Sequence, residues 1–487
     1  MRESAAAGLR TVFSFPAMLA STLVALAVLT VRSRFNDPDL WWHLRTGQII
    51  WNRRAIPQTD LLSYTTGQHA WVPHEWLAQL SMYVVFRAGG YSGLMLWFCV
   101  AVVALLVTQY TLCYLYSCNA KAAFLGALVT WFFATIGLSI RPQLLGFLFL
   151  ACELLILHVG RWRDRRWFYL LPPLFVIWVN THGSFFLGMM VLAAVLVSGS
   201  FQVSAGLLQS RPFDPARRNT LRCVAGLSAV GLFVNPVGIE LLTYPLRTIF
   251  DWRMQLGAVT EWQKLSFEDS RGFGLLVLAG GMLLIPLIRG TVLYLDEAAL
   301  LAVTFGMAVL HQRFLFAWGV VAAPILCRQL ADMWERIAPA RDRVLPNAIL
   351  ILVSFGAAIA AFPSPASLAA QVRRENPVEA VDFIQRTHLS GRMLNDYVYG
   401  GYLSWALPEQ MVFIDGRSDV YAWTGVFEDY GRWATLRDDP NRLLDTYQVA
   451  WCLLSQSAPL ARVMRYLPGW SERYSDSQSA IFTRNPQ

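Results

Sequence analysis

The chain has 487 residues, 55% hydrophobic and only 15% charged, with a formal net charge of +8. Soluble globular domains carry about a quarter charged residues, so this composition excludes an ordinary soluble protein and points to a polytopic membrane protein. The arginine excess lies between apolar runs, where it is a topology signal and not a nucleic-acid footprint, and the seven scattered cysteines lack disulfide or metal spacing.

Apolar runs near 15–31, 92–116, 122–140, 143–159, 168–181, 185–207, 221–236, 272–288, 292–310, 314–330 and 346–362 predict about eleven transmembrane helices. With the N-terminus inside, Arg2, Arg10, Lys121, the run Arg161 to Arg166, Arg211, Arg217, Arg218, Arg222, Arg289, Arg336, Arg341 and Arg343 all fall on the inner side. The positive-inside rule supports that orientation and sends the tail from about Pro363 outside. Residues 1–31 read as an uncleaved signal anchor, because the apolar run continues through Val31. The expected architecture is therefore an all-α polytopic membrane domain over 1–362, with a first outer loop at 32–76, and an extracytoplasmic α/β domain over 363–487.

That first loop is rich in reactive side chains. Asp37-Pro38 is a helix start, with Asp as cap and Pro at the first helical position. Leu40, Leu44 and Trp51 recur at helical spacing, which predicts a helix lying in the membrane interface. Asp39 and His43 are four apart and share a face of it. Asp37, Asp39 and His43 together fit either a general base or a divalent-cation site, Mg or Mn, on Asp37 and Asp39; a cap and a polar stripe on an anchor helix is the alternative. The loop closes on His74-Glu75-Trp76, where the histidine and acid suit either a helix start or the same site.

The tail from Pro363 has ordinary soluble composition. Asn376-Pro377-Val378-Glu379 is an expected capped helix start. Arg392–Asp396, Met411–Asp415, Val449–Leu454 and Ala480–Thr483 read as strands, with Gly400–Leu407 helical between the first two. Asp415 and Arg417 follow the second strand, a position where open α/β sheets place ligands and where a tight polar turn serves equally.

The stretch Asp37-Pro38-Asp39-Leu40-Trp41-Trp42-His43-Leu44, continuing through Pro57-Gln58-Thr59-Asp60 and Ser63-Tyr64-Thr65 to Glu75-Trp76-Leu77, resembles first loops of bacterial members of the C-type membrane glycosyltransferases (GT-C). So do Leu394-Asn395-Asp396-Tyr397, Gly400-Gly401-Tyr402-Leu403 and Asp415-Gly416-Arg417 in the tail. That superfamily includes oligosaccharyltransferase catalytic subunits, protein O-mannosyltransferases and arabinose-type lipid A transferases. The resemblance implies a bacterial cytoplasmic-membrane enzyme of cell-envelope glycosylation. It implies a polyprenyl-phosphate-linked sugar as donor, an outer-face glycan, lipid or protein acceptor, and inversion at the anomeric carbon. By the family pattern Asp39 matches the first-loop catalytic acid best and Asp37 second. The chain departs from oligosaccharyltransferases in lacking a WWD-type acceptor motif, and from O-mannosyltransferases in its loop pattern.

A lipid-phosphate donor calls for cations at the outer leaflet. Arg141 and Arg313 fit phosphate bidentately, with His311, His182 and Asn180 beside them at helix ends; headgroup snorkelling and helix termination are the alternatives. Glu261 completes an acidic site or is a solvated loop acid. A non-enzymatic lipid-linked-sugar transporter or assembly subunit is a rival reading, disfavoured because the polar groups sit at outer ends more than at mid-membrane. A polymer ligase is a second rival, with no need of the acidic pair.

Overall fold

The computed structural model describes residues 11–67, 69–250, 260–338, 341–421 and 424–485. Arg2 and Arg10 lie outside the described residues. The chain divides into two units. The first is built from Met1–Arg32, Met95–Pro245 and Gly257–Phe362, and the second joins Ser33–Leu94 to Pro363–Gln487. The first loop thus groups with the tail and not with the membrane helices.

In the first unit every expected apolar run carries a helix: Phe15–Val31, the distal half of Trp76–Ser117, Ala120–Ala134, Gln143–Trp162, Leu171–Val179, Phe185–Ser198, Pro215–Gly231, Ser270–Arg289, Leu295–Leu310, Leu315–Gln329 and Val344–Ala361. By length and composition, four helices among the described residues suffice to cross a membrane: Trp76–Ser117, Gln143–Trp162, Ser270–Arg289 and Val344–Ala361. Three more are apolar but shorter, at Phe15–Val31, Ala120–Ala134 and Phe185–Ser198. Two helices show what separates core from surface. Leu315–Gln329 is buried almost all round, as an all-apolar helix inside a bundle should be. It packs on Ala120–Ala134 through Gly319, where a methyl group would lie 2.8 Å from Phe133 Cβ. Val344–Ala361, in contrast, exposes Leu345, Leu352, Val353 and Ile359, an apolar surface of the kind that faces lipid.

A short three-stranded sheet, β1 (Ser204–Ala205), β2 (Leu208–Gln209) and β3 (Leu293–Tyr294), ties two connections of this unit together. Beside it, Arg161 Nη1 lies 2.8 Å from Asp296 Oδ2 and Arg211 Nη2 lies 3.1 Å from Glu297 Oε1. Some of the arginines counted as topology signals therefore also have internal partners.

The second unit holds a four-stranded sheet in the order β4-β5-β7-β6. β4 (Arg392–Asn395) runs parallel to β5 (Val449–Ser455); β7 (Ser479–Arg484) and β6 (Trp470–Ser475) complete it antiparallel. β6 escaped the sequence reading because it is a polar edge strand, largely exposed. Met411–Asp415, expected as a strand, is instead an extended segment. Its Val412 pairs with the first loop, the amide donating to Leu62 O at 2.9 Å and the carbonyl accepting from Tyr64 N at 3.2 Å. The capped helix expected at Asn376 does start at Val378, but Asn376 Nδ2 donates to Val372 O of the preceding helix and does not cap it.

First-loop residues Trp42, Ile49, Leu62 and Trp71 share one core with Leu394, Phe413, Tyr421, Trp433, Val449, Cys452 and Phe482. The expected interfacial helix is present as Leu40–Arg53, yet it buries Leu40, Trp41, Trp42, His43, Leu44, Thr46, Gly47, Ile49 and Ile50. A single-stripe amphipath would bury fewer. Trp41 meets Tyr402 edge-to-face at 5.0 Å and Phe35 at 6.3 Å, in the T-shaped geometry aromatic pairs prefer.

Candidate active site

The acidic pair at the head of the Leu40–Arg53 helix divides its labour. Asp37 is buried, and its Oδ1 accepts the Asp39 N–H at 2.9 Å, a local turn that organises the helix start. Asp39 is the residue before the first helical one, but its side chain makes no capping bond. It is half-buried and rests against Gly416: a methyl group built there would overlap Asp39 Oδ1 and lie 3.3 Å from Trp42 Nε1. Gly401 permits a similar close approach to the neighbouring Pro38, since a methyl group on it would run into Pro38 O. The two stretches that carry the GT-C resemblance, 37–44 in the loop and 400–417 in the tail, thus lie face to face in one unit.

His43, one turn beyond Asp39, is buried. Its Nδ1 lies 3.2 Å from Gln79 Nε2 and 3.7 Å from Glu75 Oε2. Glu75 Oε1 is also 3.7 Å from His74 Nε2. The structure therefore gathers His43 and His74 around the buried Glu75 carboxylate, at ion-pair range and beyond ordinary hydrogen-bond length. Among the described residues, no group of three or more His, Cys, Asp or Glu side chains is placed to hold a metal ion. Asp37 and Asp39, the pair expected as a cation site, adjoin at the helix start, with Asp37 Oδ1 accepting the Asp39 amide.

Behind Gly416 stands an ion triad. Arg417 Nη1 lies 2.7 Å from Asp60 Oδ1, its Nη2 lies 2.7 Å from Asp415 Oδ2, and all three side chains are fully buried. Arg417 also sits over the Trp71 ring at 4.8 Å. Asp60 accepts further from Leu62 N at 2.9 Å and Thr66 Oγ1 at 2.9 Å. Burial alone would raise the Asp60 pKa; the Arg417 charge and the hydrogen bonds from Arg417, Ser63 and Leu62 outweigh it and hold the carboxyl below its ordinary value. Asp415 and Arg417, singled out as ligand-binding candidates, are thus walled in and hold each other. Asp60 was quoted only as part of the resembling stretch and given no role, because nothing local in Gln58-Thr59-Asp60 indicates an arginine 357 residues away.

In the first unit the arginine candidates meet on one loop. Arg141 Nη1 lies 3.2 Å from Glu261 Oε1, and the Arg313 guanidinium covers the adjacent Trp262 ring at 4.3 Å. His311 Nδ1 lies 2.7 Å from Trp262 O. Three sequence candidates from two connections therefore converge on Glu261-Trp262. Asn180 donates to Val176 O at 2.7 Å and Val234 O at 2.8 Å, and His182 Nδ1 is 2.8 Å from Ser184 Oγ; both carry helix-end bonds of the kind the sequence allowed.

No family model matches the chain, and no curated protein matches it in sequence. Solved structures do. The oligosaccharyltransferase of Archaeoglobus fulgidus, tethered with an acceptor peptide containing the NVT sequon, is similar over 98% of this chain and 75% of its own, with 12% identity and a TM-score of 0.58. ArnT from Cupriavidus metallidurans in the apo state is similar over 99% of this chain and 100% of its own, with 13% identity and a TM-score of 0.56. The chain has the GT-C fold. The same ArnT bound to undecaprenyl phosphate aligns with 95% of this chain at a TM-score of 0.52 and 13% identity. At such identities the GT-C fold is what is shared, and function rests on the residues just described.

Proposed function

We propose that this chain is a membrane glycosyltransferase that moves a sugar from a polyprenyl-phosphate-linked donor to an acceptor on the extracytoplasmic face, with inversion. One observation carries the reading: within a GT-C fold, Asp39 stands at the head of the first-loop helix with its carboxylate packed on Gly416 of the tail. The ligands named for similar structures agree with it, since ArnT is seen with undecaprenyl phosphate and the A. fulgidus oligosaccharyltransferase AglB with dolichol-phosphate and an inhibitory peptide.

In the proposed reaction an acceptor nucleophile attacks the anomeric carbon. The bond from that carbon to the acceptor forms as the bond to the lipid phosphate oxygen breaks. Asp39 accepts the acceptor's proton or orients it. On the first unit, Arg141 and Arg313 are the proposed cations for a lipid phosphate. Asp37 shapes the turn that presents Asp39. No step is routed through a metal ion; Asp37 and Asp39 are the residues that would hold one.

The proposed setting is a bacterial cytoplasmic membrane crossed about eleven times, with the N-terminus inside and the tail outside, as arginine placement indicates. The test is mass analysis of lipid-linked sugars and glycoconjugates from cells with the wild-type gene, without it, and with Asp39→Asn. A product present only with the wild type supports transfer. An Asp39→Asn strain indistinguishable from wild type overturns the acid-centred reading and favours the transporter or assembly alternative.

A further inference from the structure

We propose that Gly416, held by the Arg417 triad, is the seat that positions the Asp39 carboxylate, so that the tail sets the geometry of the first-loop acid. This rests on the reading of Asp39 as the catalytic acid.

Three observations lead to it. Gly416 lies between the two residues of the tail half of the triad, Asp415 and Arg417, and the Arg417 amide also donates to Asp415 Oδ1 at 3.0 Å. The turn is closed again by the Ser418 amide donating to Gly416 O at 3.0 Å. A turn pinned by a fully buried guanidinium with two carboxylates has little freedom to shift. Second, the space a side chain on Gly416 would occupy is already taken by Asp39 Oδ1. Third, the Trp42 indole N–H borders that same space, is buried, and makes no hydrogen bond among the described residues. A buried donor left unsatisfied is costly, so this N–H adds a polar group to the wall of the space that Asp39 Oδ1 fills.

The atom that would yield to a Gly416 side chain is the far end of a short side chain and not backbone. Gly416→Ala should therefore fold and displace the carboxylate selectively. Gly416 and Arg417 are positioning residues here, acting through Asp39.

The first measurement needs no substrate. The full-length chain in detergent is coupled with a carbodiimide and glycinamide, and labelling at Asp39 is read by peptide mass spectrometry against the exposed Asp439. Gly416→Ala is expected to raise the Asp39 to Asp439 labelling ratio about fivefold or more, as the carboxylate leaves its seat. A ratio that is unchanged or lower overturns the proposal. If Gly416→Ala lowers the melting temperature, Asp39→Ala in the same chain should restore it; failure of the double variant to recover overturns the proposal too.

The second measurement uses, as probe, a membrane lipid extract from cells lacking the gene, and follows product formation. Gly416→Ala is expected to lower the maximal rate about 10²-fold while the half-saturating extract concentration stays within about twofold. A merely structural role would move neither the labelling ratio nor that split. If labelling shifts but Asp39→Asn turns over like wild type, the catalytic reading fails and the seat stands. If Asp39→Asn is inactive while Gly416→Ala is fully active with unchanged labelling, the seat fails and the catalytic reading stands.

Discussion

Arg417 in the tail and Asp60 in the first loop form a fully buried ion pair, Nη1 to Oδ1 at 2.7 Å, between residues 357 apart in sequence. The pair makes the first loop and the tail one folding unit. Asn395 strengthens the same joint from the tail side, donating from Nδ2 to Ile414 O at 2.8 Å and accepting from Phe413 N at 2.8 Å. Thr65 Oγ1 of the loop donates to Phe413 O at 2.6 Å.

Removing the arginine strands two buried carboxylates. Arg417→Met should destabilise the second unit by about 3–5 kcal/mol, the usual cost of breaking a buried pair from one side. Arg417→Lys should also be destabilising, because a point charge cannot replace the fork that holds both acids. Thermal melting with limited proteolysis of the purified chain checks this; a Met variant that melts with wild type would mean the triad contributes nothing net.

The triad also sets an acid limit. Because the folded Asp60 pKa is depressed, its contribution is fully present above the unfolded value of about 3.9 and is lost as pH falls through the folded value. Wild type and Asp60→Asn should differ in melting temperature by a constant amount between about pH 7 and 5, and the gap should close below about pH 4. A gap that widens on acidification would contradict the assignment.

The two loop acids should separate in function. Asp39→Asn should cost about 10²-fold or more in product formation. Asp37→Asn should cost far less, since Asn supports the same turn almost as well. Equally severe losses at both positions, reversed by added divalent cations, would show that both side chains serve a metal site.

On the Glu261-Trp262 loop, Arg313→Lys keeps the charge but loses the planar stack on Trp262. If Arg313 meets the donor phosphate, Lys should weaken product formation about tenfold or more by forfeiting bidentate geometry, and Arg313→Ala should weaken it further. Glu261→Gln should leave more activity than Arg141→Ala, because it frees the arginine. Initial rates with the lipid extract decide both comparisons, and an Arg141→Ala chain with full activity would remove that residue from the donor site.

The expected orientation is open to a direct check. A periplasmically active reporter fused after Gln487 should be active, and a cytoplasm-dependent one silent. The reverse pattern would invert the proposed face of the reaction.

The sequence alone was enough for the apolar helices, since burial in lipid or in a bundle both require long apolar runs, and each expected run does carry a helix. It also supplied the acidic loop and the tail motifs; the helix start read at Asp37-Pro38 falls two residues later, at Leu40, with Asp39 as the residue before it. Length was less legible: helices such as Leu171–Val179 are shorter than their apolar runs, because hydropathy does not mark where a turn ends a helix. What only the tertiary structure decided is which distant residues meet. Local pattern could not show that Gly416 packs on Asp39, that Arg417 is neutralised by Asp60, or that the Trp41-Trp42 helix belongs to the tail's core. Those contacts depend on chain paths that bring residues hundreds of positions apart together, and on close approaches only a glycine permits. A buried charge carries no local signature of its partner, so its role became readable only once the fold had supplied one.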